Sequence, residues 1–435
     1  MKKSTTIYMC DSCGNEFSNW SGRCTACGEW NTLKEVSGID IKIVGRNKTS
    51  TKEISKKKLT EIEVGANYRI PSKIGELDRV LGGGIVPGSI ILLGGEPGIG
   101  KSTLLLQVCD AVDDVLYVSA EESLEQIKVR ANRLGINKDN TELIADGDLE
   151  SIVSQIANKL PKLLIVDSIQ TVFLGSLDST PGSLVQVREC GMFLQRFAKK
   201  SGTPVIIVGH VTKDGSLAGP RILEHLVDVV LYLEGERFHD ARILRGVKNR
   251  FGATNEAGIF SMKEVGMIEV KNPSELFLSE RQNEPGSAIA ATLEGNRPIL
   301  VEVQALVTPT RFGFPKRTTS GFDLNRLNLL AAVVSKKTAI NLSNSDIYIN
   351  IVGGMRLKDP ALDLAVCLSM ISSYVNLPIP EKLCFFGEVG LSGEIRNVVR
   401  SKDREKEASN IGYENLKNKN KLSEIISDLF SKSKR

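Results

Sequence analysis

The chain of 435 residues has no run of about eighteen or more apolar residues, so no membrane-spanning helix is expected. Its opening residues, Met1-Lys2-Lys3-Ser4-Thr5-Thr6, lack the apolar stretch of a secretion signal, and a cytoplasmic protein is expected. Neither sign of charge dominates. Lys and Arg number 56 against 52 Asp and Glu, a net of +4, which excludes a polycation and makes any nucleic-acid surface local. Histidine is scarce, with three residues, and tryptophan scarcer, with two. No internal repeat is visible, so the chain does not read as a solenoid. What remains is ordinary for globular protein, 41% apolar and 25% charged, at a length that suggests two or three domains.

Against that background one segment stands out. Gly95-Glu96-Pro97-Gly98-Ile99-Gly100-Lys101-Ser102 fits the P-loop pattern. The apolar run Ile90-Ile91-Leu92-Leu93 precedes it, and Thr103-Leu104-Leu105-Leu106-Gln107 follows with helical character. Strand, glycine loop and helix are the context the motif needs, and both flanks oppose a chance Gly-rich turn. The glycines let backbone N–H groups converge on phosphate oxygens at the positive end of a helix. Lys101 is expected to reach the β and γ phosphates, and Ser102 to hold Mg²⁺. ATP and Mg²⁺ are therefore the expected cofactors.

Hydrolysis needs more groups. Leu163-Leu164-Ile165-Val166-Asp167 ends an apolar strand in a carboxylate, and Asp167 reads as the acid that orients Mg²⁺ through water. Val115–Val118 leads into Ser119-Ala120-Glu121-Glu122, where Glu121 is the favoured general base. Glu122 as base, or either as a merely solvated charge, stays open. Val205–Val208 leads to His210, which reads either as a sensor of the γ-phosphate or as a structural histidine. Two Gly-rich stretches, 175–182 and 212–221, the second carrying Lys213 and Arg221, suit a motor gripping a strand but equally suit an ordinary surface. Lys248-Asn249-Arg250-Phe251-Gly252, taken alone, is a polar turn.

Four of the eight cysteines form Cys10-x-x-Cys13 and Cys24-x-x-Cys27, ten residues apart. Four thiolates close a tetrahedron around Zn²⁺ and leave no site for water, so a structural zinc is expected, with disulfides as the alternative. About thirty residues cannot build a core unaided, and the metal supplies the folding energy. Trp20 and Trp30 flank this module, where packing against the knuckles is favoured over base stacking. Cys109, Cys190, Cys367 and Cys384 sit in apolar contexts and read as buried, reduced thiols. Asp40 to Thr60 holds seven basic residues against two acidic, the composition of a solvated tether, with nucleic-acid backbone contact as a second reading.

From about Tyr68, short apolar runs alternate with helical stretches, the pattern of a parallel sheet with crossover helices. Beyond Asn272 the texture changes. Pro273, Pro285 and Pro298 punctuate it, and strand-like Ile299–Val307, helical Leu324–Lys337 and strand-like Asp346–Val352 suggest a second α/β domain. A helix with Leu422, Ile425, Ile426, Leu429 and Phe430 on one face closes it.

These pieces together resemble the bacterial RadA (Sms) family of DNA-repair ATPases over nearly the whole chain. The marks are the four-cysteine finger followed by Gly28-Glu29-Trp30-Asn31-Thr32, the P-loop, and Lys-Asn-Arg-Phe-Gly at 248–252, a family signature. The resemblance implies a RecA-like P-loop ATPase core and a hexameric, helicase-like ring in which Lys248 and Arg250 reach the ATP of the neighbouring subunit. It also implies loops 175–183 and 212–221 facing single-stranded DNA, and work with the RecA recombinase on branched intermediates. The region from Asn272 resembles the Lon peptidase domain, whose chemistry needs a Ser nucleophile and a Lys base. Here Ala361 falls where the serine belongs and Lys402 near the lysine, which implies a non-proteolytic scaffold. Arg396, Arg400, Lys402, Arg404 and Lys406 are a candidate DNA-facing patch, diluted by Asp403, Glu405 and Glu407.

The expected organisation is α/β throughout: a zinc finger at 1–33, a basic linker at 34–67, the ATPase domain at 68–271 and a Lon-protease-like domain at 272–435. The expected activity is DNA-dependent ATP hydrolysis coupled to movement on single-stranded DNA. An ATP-dependent peptidase and a non-translocating ATP- and DNA-binding loader are the rivals.

Overall fold

The P-loop strand, Ile90–Gly95, has every residue buried, and its side chains alternate between two cores. Ile91 and Leu93 pack into one, Ile90 and Leu92 into the other. The same alternation runs through Val115–Ser119, Leu163–Asp167 and Val205–His210. A strand buried on both faces needs apolar residues at every position, which is why these runs read as continuous rather than alternating. Each Leu, Ile or Val buried this way contributes about 1.5–3 kcal/mol, so a one-residue slip of register would be costly but would find apolar residues on both sides.

The computed structural model describes residues 7–10, 15–36, 58–61, 68–210, 223–235, 240–254, 256–278, 281–311, 313–354, 357–416 and 419–430. Cys13, linker residues 37–57 and the two tentative DNA-contacting residues Lys213 and Arg221 lie outside the described residues. The chain divides into two compact units. One comprises Met1–Glu234, Arg242–Thr254 and Phe260–Glu269, and the other Gly235–Ala241, Asn255–Ile259 and Val270–Arg435.

The main sheet has nine strands. From one edge they run Thr141–Ile144, Val115–Ser119, Leu163–Asp167, Val205–His210, Ile90–Gly95, Val229–Glu234, Ala241–Asn249, Ala257–Lys263 and Gly266–Glu269. The first six are parallel. Ala241–Asn249 then runs antiparallel to Val229–Glu234, and Gly266–Glu269 antiparallel to Ala257–Lys263. Helices Gly75–Leu81 and Lys101–Ala111 supply Leu77, Val80, Leu104, Leu105 and Val108 to one core. Helices Leu149–Ile156 and Leu184–Ser201 supply Ile152, Val153, Leu194 and Phe197 to the other. A separate three-stranded sheet, Glu16–Phe17, Ile7–Cys10 and Leu33–Val36, carries the N-terminal module.

The second unit is also α/β. Its six-stranded mixed sheet runs Arg317–Ser320, Ser345–Ile351, Arg297–Pro309, Ser287–Glu294, Leu383–Phe385 and Glu414–Asn415. Helix Asp363–Val375, buried along most of its length, and helix Leu324–Lys337 complete its core. Ala361 is fully buried in a cluster with Ile289, Leu300, Cys384 and Phe386.

Cys109, Cys190, Cys367 and Cys384 are buried and free, as their apolar contexts suggest. Burial raises all four thiols, Cys190 and Cys384 to about 12. Among the described residues no helix is long and apolar enough to cross a membrane.

Candidate nucleotide site and zinc module

The P-loop bends through backbone conformations that only glycine adopts readily. Gly98 has φ +79° with open space where a side chain would stand. Gly100, at φ +115°, would drive a Cβ to 2.4 Å from the Met262 methyl. Gly100 also precedes helix Lys101–Ala111, and no side chain caps the first amides of that helix. Those amides are open to an anion. From the antiparallel half of the sheet, Arg242 Nε donates to Ile99 O at 3.1 Å and fixes the loop's crest.

A cavity of about 310 Å³ opens over the loop at the carboxyl edge of the parallel strands. Lys101, Ser102, Thr103, Glu121, Asp167 and His210 share its wall. Lys101 Nζ folds back onto Gly95 O and Glu96 O, at 2.8 and 3.0 Å. Burial lowers its pKa to about 8, although Asp167 and Glu121 oppose the shift. The Tyr117 hydroxyl donates to Asp167 Oδ2 at 2.5 Å and fixes that carboxylate from the strand beside it. Burial, with Asp167 second, holds the Tyr117 proton on well above its usual range. His210 Nε2 lies 3.6 Å from Glu121 Oε2. Burial first, then the Lys101 charge, lowers the imidazole's pKa, which favours its neutral form. Glu122, on the same cavity wall, is held in an ion pair with Arg130. The hydroxyl of Ser102 and the carboxylate of Asp167 are hard oxygen donors of the kind Mg²⁺ takes.

The segment 248–252 is not a loose turn. Asn249 is buried and donates from Nδ2 to Val80 O and Leu81 O, both at 3.3 Å, closing the end of helix Gly75–Leu81. Its Oδ1 accepts from Phe251 N at 2.9 Å, while Arg69 Nη2 donates to Phe251 O at 2.6 Å. Arg250 reaches Asp228 Oδ1 at 3.3 Å. The same buried Asp228 accepts from Lys199 Nζ at 2.7 Å and from Ile90 N at 3.2 Å. Lys248 Nζ donates to Glu224 O at 2.7 Å and His225 O at 3.4 Å, and burial and Arg250 lower its pKa.

Loop 175–183 is tied down at its base. Gln186 holds Leu174 through both amide atoms and donates to Ser179 O at 3.1 Å, while Glu150 accepts from Ser176 N at 3.1 Å. The Gly-rich composition suggested more freedom than these bonds allow.

In the N-terminal module the thiols of Cys10, Cys24 and Cys27 lie within 4.8 Å of one another. Cys10 N donates to Asn15 O at 2.9 Å and Cys24 N to Glu29 O at 2.8 Å, so both knuckles close on the same five-residue spacing. Burial acts to raise the Cys24 thiol, but amide N–H groups of Cys27 and Ala26 outweigh it and the net shift is downward. Amide donors that favour a thiolate fit a thiophilic cation, and three thiols this close suit Zn²⁺, while Cys13, the expected fourth ligand, lies outside the described residues. The tryptophans depart from expectation. Trp20 is 59% and Trp30 68% exposed, with Arg23 stacked 5.7 Å from the Trp30 ring, rather than packed against the knuckles.

The basic stretch 396–406 also needs correction. Arg404 is 1% exposed, paired with Asp359 at 2.7 Å and donating to Ala291 O at 2.7 Å. It belongs to the core of its unit and not to a surface patch. Arg396 pairs with Glu394 and Arg400 with Asp403.

Fold and site together define a RecA-like P-loop ATPase carrying an N-terminal zinc ribbon. The family model described as AAA domain matches residues 69–216, and the one described as rubredoxin metal binding domain matches residues 8–35. The chain is 50% identical to the DNA repair protein RadA of Bacillus subtilis (strain 168), covering 96% of this chain and 93% of that protein. It is 48% identical to RadA of Halalkalibacterium halodurans, with 96% and 93% covered, and 47% identical to RadA of Pseudomonas aeruginosa, with 95% and 92% covered. The chain belongs to the DNA repair protein RadA family.

Proposed function

We propose that this chain is a DNA-dependent ATPase of recombinational repair that assembles as a ring, moves on single-stranded DNA and processes branched intermediates alongside the RecA recombinase. The observation that carries the reading is the convergence of Lys101, Asp167, Glu121 and His210 on one cavity above the P-loop. In this assignment residues 95–103 cradle the triphosphate, and Lys101 leaves its two carbonyls for the β and γ phosphates. Ser102 would hold Mg²⁺ and Asp167 would orient it through water, and the ion when bound would screen the phosphate charge. Glu121 takes the proton from the attacking water, because Glu122 is committed to Arg130. Neutral His210, beside Glu121, registers whether the terminal phosphate is present.

Lys248 and Arg250 act on the nucleotide of a neighbouring copy, which makes turnover depend on assembly. What supports this is the rigid seating of the segment between them, with Asn249 and Phe251 locked into the fold. Loops 175–183 and 212–221 face the strand. Residues 1–33 form the zinc module, 34–67 a tether, 68–271 the motor and 272–435 a Lon-like scaffold without peptidase activity. The burial of Ala361 and the exposure of Lys402 support that last assignment.

The test is ATP hydrolysis with and without single-stranded DNA, run beside particle imaging to count subunits. Stimulation by DNA in a ring is expected. Full-rate turnover by a monomer without nucleic acid would sink the reading, and turnover that stays flat as DNA is added would favour a loader.

A further inference from the structure

Helix Leu124–Arg133 begins just after the two glutamates and exposes most of its surface, burying only Ile127 and Ala131. Arg130 nevertheless turns back into the nucleotide cavity. One of its terminal nitrogens, Nη2, is pinned to Glu122 Oε1. The other, Nη1, is buried and has no hydrogen-bond partner among the described residues. A dry, unpaired guanidinium N–H is rare in folded protein, because the group has given up water for nothing in return. Such a group is accounted for when a ligand completes it. Its wall of the cavity is shared with Lys101, Ser102 and Asp167, a set suited to a polyanion with its metal. Glu121, the proposed base, lines the same cavity. The terminal phosphate that its water would attack therefore lies in the space that Arg130 also lines.

We propose that Arg130 is a catalytic residue supplied within the chain, donating from Nη1 to an oxygen of the terminal phosphate of bound ATP. This rests on the nucleotide site proposed above and adds to it a cation from the same subunit. The Glu122 pair holds the guanidinium plane in place, so little side-chain freedom is lost when the phosphate arrives. Arg133, one turn further on, lines the same cavity but is exposed.

The experiment titrates the full-length chain with ADP and with the non-hydrolysable triphosphate AMP-PNP, both with Mg²⁺. Wild type is compared with Arg130→Gln, Arg130→Lys and Glu122→Gln. In Arg130→Gln the triphosphate analogue is expected to weaken about tenfold or more and ADP by less than about threefold, the signature of one lost charge-assisted contact to the terminal group. Arg130→Lys keeps the charge without the fork and is expected to fall between, which settles the matter if the glutamine variant does not fold. Glu122→Gln loosens the guanidinium but leaves its charge, and is expected to lose triphosphate preference by less than Arg130→Gln does. In Arg130→Gln, equal loss for both nucleotides or no loss would overturn the proposal. Failure of the underlying site looks different, since wild type itself would then bind neither nucleotide.

Discussion

Lys101 is held by two carbonyl oxygens in a buried setting that lowers its pKa to about 8. Nucleotide phosphates at the same place favour the ammonium and return the pKa toward its ordinary value of about 10.4. Binding should then draw a proton from solution. The sign follows from the direction of the shift: the empty site holds less proton than the filled one at any pH between the two values. At pH 8 about half of the empty sites carry neutral lysine, so about 0.5 proton is taken up per nucleotide, rising to about 0.9 at pH 9 and falling to about 0.1 at pH 7. The same linkage weakens apparent affinity about tenfold, or 1.4 kcal/mol, between pH 7 and pH 9. Calorimetric titration of ADP in buffers of differing ionisation heat measures the uptake directly. Lys101→Arg, which does not titrate in this range, should bind without it. A wild-type uptake that stays near zero from pH 8 to pH 9 would refute the argument, since it would mean that the lysine enters the site already charged or never meets phosphate.

Three further outcomes are expected. Cys24→Ser should lower the zinc content from about one per chain and change the emission of Trp20 and Trp30, and metal analysis beside fluorescence checks both. Asp228→Ala removes one carboxylate that serves Lys199, Arg250 and the Ile90 amide, and should cost about 2–3 kcal/mol in denaturant unfolding. The loss stays modest because both cations can still reach water. Ala361→Ser should restore no peptidase, because position 361 is fully buried and Lys402 is exposed. Labelling of that serine by a fluorophosphonate probe would contradict the non-proteolytic reading.

The parallel half of the main sheet was legible because both of its faces are covered, so its strands are apolar at every position. The antiparallel half was harder to read. Ala241–Asn249 carries Arg242, Arg245 and Lys248, charges that disguise a strand until Arg242 is seen reaching the P-loop crest. The motif residues of the nucleotide cavity were accessible from local pattern, since loop, strand end and glutamate pair each sit beside an apolar run. Arg130 was not, because helix Leu124–Arg133 reads as a solvated surface helix and only the turn of the chain brings residue 130 back to Glu122. Arg404 misled for the opposite reason. Its neighbours in sequence are charged and exposed, while its partner, Asp359, lies 45 positions away. The Arg404 pair is long-range and leaves no periodic trace, while the Arg130 pair spans eight residues across the start of a helix, a spacing that no helical or strand periodicity marks.

The burial of Cys109, Cys190, Cys367 and Cys384 has a practical corollary. Alkylating reagents attack thiolate, and these four side chains are both shielded and held protonated far above neutral pH. In the native chain a maleimide therefore reports on the sulfurs of the N-terminal ribbon, where Cys27 is exposed. Without mutating a single cysteine, fast modification should register release of metal, and slow modification should register opening of the two larger cores.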